Sequence, residues 1–255
     1  YEAVVINNNP ETVSTDYSVA DRLYFEPLAA EDVLHVIEKE NVEGVLIQFG
    51  GQTAINLAHS LQEEGIKILG TPVVNVDSLE DRKEFYQLLE DLQIPHIEGE
   101  TVMHAEELTA AAEKLGYPVL VRPSYVIGGQ SMFTIFSEEE LQSYIGQLQE
   151  NSQASMWPLL VDRYLPGLEC EIDVISDGVN IVVPGIFEHI EKAGVHSGDS
   201  ISIFPPISMS GSVKETLIDY ANRIAKSASI VGMMNIQFVV YENQVYVLEV
   251  NPRSS

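Results

Sequence analysis

The sequence predicts an α/β unit running into an α+β unit. Over residues 1–72, short apolar strands alternate with amphipathic helices, the pattern of a parallel sheet covered on both faces. Beyond residue 72 the strands come in neighbouring pairs joined by turn residues, which predicts antiparallel pairing. The last pair, 236–241 and 245–253 around Glu242-Asn243-Gln244, is rich in Val, Ile and aromatics and reads as a hairpin.

In order, Ala3-Val4-Val5-Ile6 is the first strand, and 30–40 is a helix with Glu31 and Asp32 in its first turn, where acids complement the helix dipole. Gly44 to Phe49 is the second strand. Gly50-Gly51-Gln52-Thr53 opens a helix over 54–64, and Lys67-Ile68-Leu69-Gly70 is the third strand. The Gly-Gly turn could cradle a phosphate. With no Lys following to complete a P-loop, a tight strand-to-helix turn is the better reading. Thr71-Pro72 marks a boundary, after which Asp77 or Ser78 is expected to cap one helix running to about Leu92. On that helix Arg82 reads as a surface partner for an acid one turn away.

A helix at 105–115 leads into Val119-Leu120-Val121-Arg122-Pro123, an apolar strand ending in an Arg. The loop 124–132 carries Gly128 and Gly129 and returns as Phe133-Thr134-Ile135. A glycine-bearing loop beside an Arg suits a flap over triphosphate oxygens, or a plain hairpin tip. A helix from 138 to about 149, a polar connection at 150–155 and a strand at 159–165 follow. Residues 169–175 and 180–187 are expected to pair around Ser176-Asp177-Gly178. The polar stretch 188–200 holds His189 and His196 and is too rich in site chemistry for filler. No strand-turn-helix elbow surrounds its Ser residues, and two His without a Cys are poor zinc ligands. A helix from 212 to about 230 leads into the hairpin.

The register of that hairpin decides what it presents. Strand alternation puts Glu249 and Asn251 on one face with Val245 and Val247, and Tyr246, Leu248 and Val250 on the other. A three-residue loop pairing Tyr241 with Val245 would set Gln237 opposite Glu249, and this is the expected register. One strand pair would then offer a carboxylate, two amide oxygens and the Arg253 guanidinium. Such donors suit a magnesium-nucleotide complex. Taken alone they read better as the wet end of a strand closed by Pro252.

The chain has 255 residues, with 13 Lys and Arg against 39 Asp and Glu, a formal charge of −26. That field repels nucleic acid and anionic membrane surfaces. It also means that a polyphosphate ligand would need the few Arg and His gathered around it, and metal to neutralise the rest. The single cysteine, Cys170, excludes an intrachain disulfide, and its acidic neighbours Glu169 and Glu171 predict an inert thiol. No apolar run is long enough to span a bilayer and no signal peptide opens the chain, so a soluble, cytoplasmic protein is expected. A strand starting at once, without an initiator Met, predicts a piece of something longer.

Five motifs in order carry a family resemblance: Asn9-Pro10-Glu11-Thr12-Val13-Ser14-Thr15-Asp16, Gln48-Phe49-Gly50-Gly51-Gln52-Thr53, Arg122-Pro123-Ser124-Tyr125 with Gly128-Gly129, Gly194-Val195-His196-Ser197-Gly198-Asp199-Ser200, and Glu249-Val250-Asn251-Pro252-Arg253. With them the whole chain resembles the ATP-grasp ligases, and more closely the large chain of carbamoyl-phosphate synthase. The third, fourth and fifth motifs look like its C-terminal, carbamoyl-phosphate-forming half.

The resemblance implies a Rossmann-like pre-ATP-grasp domain over 1–72, truncated at its start. An ATP-grasp domain over 73–255 would follow, with two α+β subdomains clamping ATP, a flap subdomain at about 117–167 and a truncated end. It implies that Gln237, Glu249 and Asn251 bind two magnesium or manganese ions, with Glu249 bridging them. Arg82 and Arg122 would reach the nucleotide phosphates, which overturns the surface reading of Arg82, and Gly128 and Gly129 would form the flap. Arg163, Leu165 and Glu169 would contact adenine and ribose, with Gly194, Val195, His196 and Ser197 across the nucleotide. Glu169, His189 and Glu249 would lie near a potassium ion, and Arg253 would orient the acceptor. The implied reaction is phosphorylation of carbamate by ATP, within a synthase using glutamine and bicarbonate for pyrimidine and arginine biosynthesis. Its implied partners are the N-terminal half of the large chain and a glutaminase small chain. The basic residue many relatives carry in the flap is replaced here by Gln130. Two rivals stand beside this reading: a non-catalytic nucleotide-binding module, which intact metal ligands disfavour, and a different ATP-grasp carboxylate-amine ligase, which the motif from Gly194 disfavours.

Overall fold

The computed structural model describes residues 1–123, 132–150, 157–194 and 200–254, without the side chains of 149 and 150. Gly128, Gly129, Gln130, Val195, His196 and Ser197, and with them the expected flap, lie outside the described residues.

In the first part, β1 (Val4–Ile6) runs parallel to β2 (Arg22–Tyr24), and after α1 (Ala30–Glu40) a second parallel pair forms from β3 (Val45–Leu46) and β4 (Ile68–Leu69). The parallel topology is as expected, in two separate pairs. Strand β2 was not legible, because Arg22 and Tyr24 look like surface residues; both instead hydrogen-bond Glu40 at the end of α1. The helix expected over 54–64 is broken into α2 (Gly51–Ile55) and α3 (Ala58–Glu63). Gly51 has φ +60 and a Cβ at Gly50 would collide with Ala54, so the Gly-Gly pair makes a tight turn.

The helix expected to run to Leu92 is also two, α4 (Val73–Glu80) and α5 (Arg82–Asp91). Asp77 and Ser78 lie inside α4, and the cap is Asp81, whose carboxylate accepts from the Glu84 amide at 2.9 Å. At ψ 114, Asp81 ends one helix and starts the other. A four-stranded antiparallel sheet follows in the order β5 (Gly99–Val102), β8 (Leu159–Arg163), β6 (Val119–Pro123), β7 (Phe133–Ile135). Helices α6 (Ala105–Leu115) and α7 (Glu138–Glu150) cover it, burying Leu108, Ala112 and Leu141 against Val119, Val121 and Val161.

The second antiparallel sheet contains β9 (Leu168–Asp177), β10 (Ile181–Val182), β11 (Ile186–Lys192), β12 (Ser202–Ile203), β13 (Val231–Tyr241) and β14 (Gln244–Asn251). Its order is β12-β11-β9-β13-β14, with β10 also on β9. The strand expected at 180–187 is thus two short pieces, and the polar stretch expected from 188 begins as sheet. Helix α8 (Gly211–Ser227) packs Leu217, Ala221 and Ile224 on Cys170, Ile172, Val174, Met234, Ile236 and Phe238. Since strand side chains alternate, Glu169, Glu171, Asp173, Asn235 and Gln237 project from the opposite face. The inert reading of Cys170 agrees with its full burial, which pushes the thiol pKa up.

Ser210 caps α8, its hydroxyl accepting from the Val213 amide at 3.3 Å. Ser210→Ala is expected to cost about 1 kcal/mol, seen as a lower urea midpoint at unchanged slope. Unchanged stability would contradict the cap.

Candidate metal and nucleotide site

The hairpin reaches its expected pairing by an unexpected route. Tyr241 pairs with Gln244, not Val245, across a two-residue turn in which Glu242 (φ 50) and Asn243 (φ 64) are both left-handed. That is the type I′ turn, whose twist matches that of the strands. The three-residue loop is therefore corrected, and alternation alone would place Gln237 away from Glu249. A β-bulge restores the match: Phe238 opposes Val247 while Gln237 opposes Glu249, leaving Leu248 as the extra residue.

The bulge also corrects the faces. Val245, Val247 and Val250 all enter the core under α8, whereas Tyr246 and Leu248 join an apolar cluster with Leu165, Ala193 and Val239. Glu249 and Asn251 stand on this second side, not with Val245 and Val247. The Asn251 amide donates to Glu249 Oε1 at 3.1 Å, and Arg253 donates to Asn251 Oδ1 at 3.2 Å. Gln237, Glu249, Asn251 and Arg253 are thus brought together as expected.

Across β13, strand β9 adds acids at every second position. Asn235 donates to Asp173 Oδ1 at 3.1 Å and to Glu171 Oε2 at 3.4 Å, while its own Oδ1 is buried with no hydrogen-bond partner. His189, 1% exposed, lies 3.9 Å from Glu169 and 3.8 Å from Glu171. Burial raises the Glu169 pKa to about 7; His189 opposes the shift, and Glu249 and Glu171 add to it. The Glu171 carboxylate in turn holds the His189 pKa above its ordinary value. Among the described residues no three His, Cys, Asp or Glu are gathered to hold a metal alone. A cation here would need the amide oxygens of Gln237 and Asn251 beside Glu249, and the uncommitted Asn235 Oδ1 is a further oxygen close by. Such a donor set fits magnesium, which is commonly held by one or two carboxylates together with phosphate oxygens.

The arginines form a second centre. Arg82 and Arg122 converge on Asp162 of β8, buried at 7% exposure: Arg82 through Nη2, and Arg122 with Nε 3.5 Å from Oδ2. Arg82 also donates to the Tyr86 hydroxyl at 2.8 Å, and burial lowers its pKa. A Cβ at Gly99 would collide with both Arg82 and Asp162, so glycine there makes room for the pair. The surface reading of Arg82 is corrected. Of the other expected contacts, Leu165 is buried in the apolar cluster, Arg163 is exposed at the end of β8, and Gly194 (φ +101) sits against Tyr164.

Sequence reasoning missed Asp162, Gly99, Asp173 and Asn235. Two signals were available: a lone acid in the apolar run Leu159-Leu160-Val161-Asp162, and acids at 169, 171 and 173 on one strand face.

Residues 1–78 match the family described as carbamoyl phosphate synthase preATP-grasp domain. Residues 81–255 match the carbamoyl-phosphate synthase L chain, ATP binding domain. The chain is 54% identical, over all its 255 residues, to the carbamoyl phosphate synthase arginine-specific large chain of Halalkalibacterium halodurans, and spans 24% of that protein. Solved structures show the fold. The biotin carboxylase domain of Hydrogenobacter thermophilus 2-oxoglutarate carboxylase, in complex with MgADP and bicarbonate, matches with TM-score 0.76 and 22% identity over 99% of this chain and 58% of that one. An ADP complex of N5-carboxyaminoimidazole ribonucleotide synthetase matches with TM-score 0.79 and 17% identity over 100% of this chain and 64% of that one. With an ATP-grasp fold and two family matches that together take in nearly its whole length, the chain belongs to the carbamoyl-phosphate synthase large-chain family.

Proposed function

We propose that this chain transfers the γ-phosphoryl group of ATP to carbamate, giving carbamoyl phosphate and ADP. The observation that carries the reading is the joining of Glu249, Asn251 and Gln237 with the Arg253 guanidinium on one sheet face. A carbamate oxygen, already anionic, attacks the γ-phosphorus in line. The new P–O bond forms as the bond to the β-phosphate oxygen breaks, and no general base is required. Arg82 and Arg122 leave Asp162 in part to meet phosphate oxygens, Arg253 orients the carbamate, and the apolar cluster around Leu165 receives the adenine. Two magnesium or manganese ions on Gln237, Glu249 and Asn251 would neutralise charge spread over the phosphoryl oxygens. Glu169 and His189 would adjoin a potassium ion.

Under this reading residues 1–72 are the pre-ATP-grasp domain and 73–255 the ATP-grasp domain, with the flap subdomain at about 117–167; Gly128, Gly129, Val195, His196 and Ser197 would close over the nucleotide. In the whole protein the carbamate would come from the N-terminal half and ammonia from a glutaminase chain, in the cytoplasm, for arginine or pyrimidine biosynthesis. Incubating the chain with MgATP tests the acceptor. ADP release should require bicarbonate and ammonium together, which form carbamate in solution. Release with bicarbonate alone would instead assign bicarbonate phosphorylation and refute the proposal.

A further inference from the structure

We propose that Gln48 and Gln52, in the first part of the chain, are positioning residues that fix the direction of Arg253. The inference rests on the role given to Arg253 above. Strand pairing of β14 ends at Asn251, which opposes Asn235; beyond it residues 252–254 have no strand partner. Their fixed points come from Gln48, which follows β3 and is 1% exposed. Its side-chain amide donates to the Pro252 carbonyl at 3.0 Å, the Met233 carbonyl at 3.1 Å and Thr71 Oγ1 at 3.2 Å. Its main-chain oxygen accepts from Ser254 N at 2.9 Å and Ser254 Oγ at 3.1 Å. One residue thereby holds the backbone on both sides of Arg253.

The surroundings are shaped for this amide. Gly70 (φ +102) and Gly232 (φ +107) both face it, and a Cβ at either would collide with Gln48 Oε1; one built on Gly70 would stand 2.6 Å from that oxygen. That oxygen has no hydrogen-bond partner. An apolar side chain would fill the slot without an unpaired acceptor, so packing alone does not account for Gln48; the three acceptors gathered around its two N–H groups do. Gln52 completes the arrangement. Its Oε1 accepts from Arg253 Nε at 3.4 Å, while its amide is held by Glu80 Oε1 at 3.0 Å and Asn56 Oδ1 at 3.2 Å. Gln48 fixes the backbone and Gln52 the guanidinium, so the first part of the chain sets how the catalytic end of the hairpin meets its acceptor.

The test uses the full-length protein and ATP formation from carbamoyl phosphate and MgADP. Gln48→Met keeps the length and removes the donors; Gln52→Met removes the Arg253 acceptor at an exposed position and decides the matter if the first variant does not fold. Gln48→Met should lower kcat/KM for carbamoyl phosphate by about tenfold to a hundredfold, and Gln52→Met by about threefold to tenfold, both leaving the KM for MgADP within about twofold. Amide exchange at Ser254 should quicken in Gln48→Met while that of β13 stays unchanged, a readout independent of the reaction. Parent protein making no ATP would refute the assigned reaction and leave exchange at Ser254 to judge the anchoring. A KM for MgADP raised as much as kcat/KM for carbamoyl phosphate is lowered, or no loss in either variant, or unchanged exchange at Ser254, would overturn the positioning role.

Discussion

Glu249→Gln is expected to lower ATP formation from carbamoyl phosphate and MgADP by at least about a hundredfold, because it removes the one carboxylate among the three hairpin donors. Gln237 and Asn251 offer only neutral amide oxygens, and the Asn251 amide that donates to Glu249 would lose a charged acceptor. Gln keeps the volume of Glu, and the β13–β14 ladder depends on backbone pairing, so the fold should persist. A magnesium titration of the residual activity should shift to higher concentration. Full activity in the variant, or an unchanged magnesium dependence, would remove Glu249 from the metal site.

Asp162→Ala should be the most destabilising change outside the two main cores. Arg82 and Arg122 would be left facing one another without their shared carboxylate, and Arg82 Nη1 already lies buried with no hydrogen-bond partner. Breaking such a pair from one side costs roughly 3–5 kcal/mol, measurable by urea denaturation. MgADP should restore more stability to the variant than to the parent protein, since phosphate oxygens can replace the missing carboxylate. A loss under about 1 kcal/mol would show that the arginines are satisfied without Asp162.

The order of strands and helices was legible wherever burial imposes a period, as in α1, α6 and the apolar β6 and β13. The failures share a cause, in that each depends on a partner far along the chain. Arg82 looks like a surface residue until Asp162, 80 positions later, folds against it. Arg22 and Tyr24 become strand only because Glu40 and β1 are there to receive them. The hairpin shows a subtler failure. A strict alternation and a three-residue loop lead to the right neighbour for Gln237 by the wrong path, because one bulged residue, Leu248, shifts the phase that the two-residue turn sets. Carboxylates and amides near the chain end were visible as types, but the side they occupy is decided by that bulge.

Phosphoryl transfer between ATP and carbamate can be followed in reverse, as ATP formation from carbamoyl phosphate and MgADP by this chain. Neither bicarbonate nor a source of ammonia is needed in this direction. Magnesium-dependent ATP formation with carbamoyl phosphate is the expected result. Intact MgADP binding with no ATP formed from carbamoyl phosphate would contradict it.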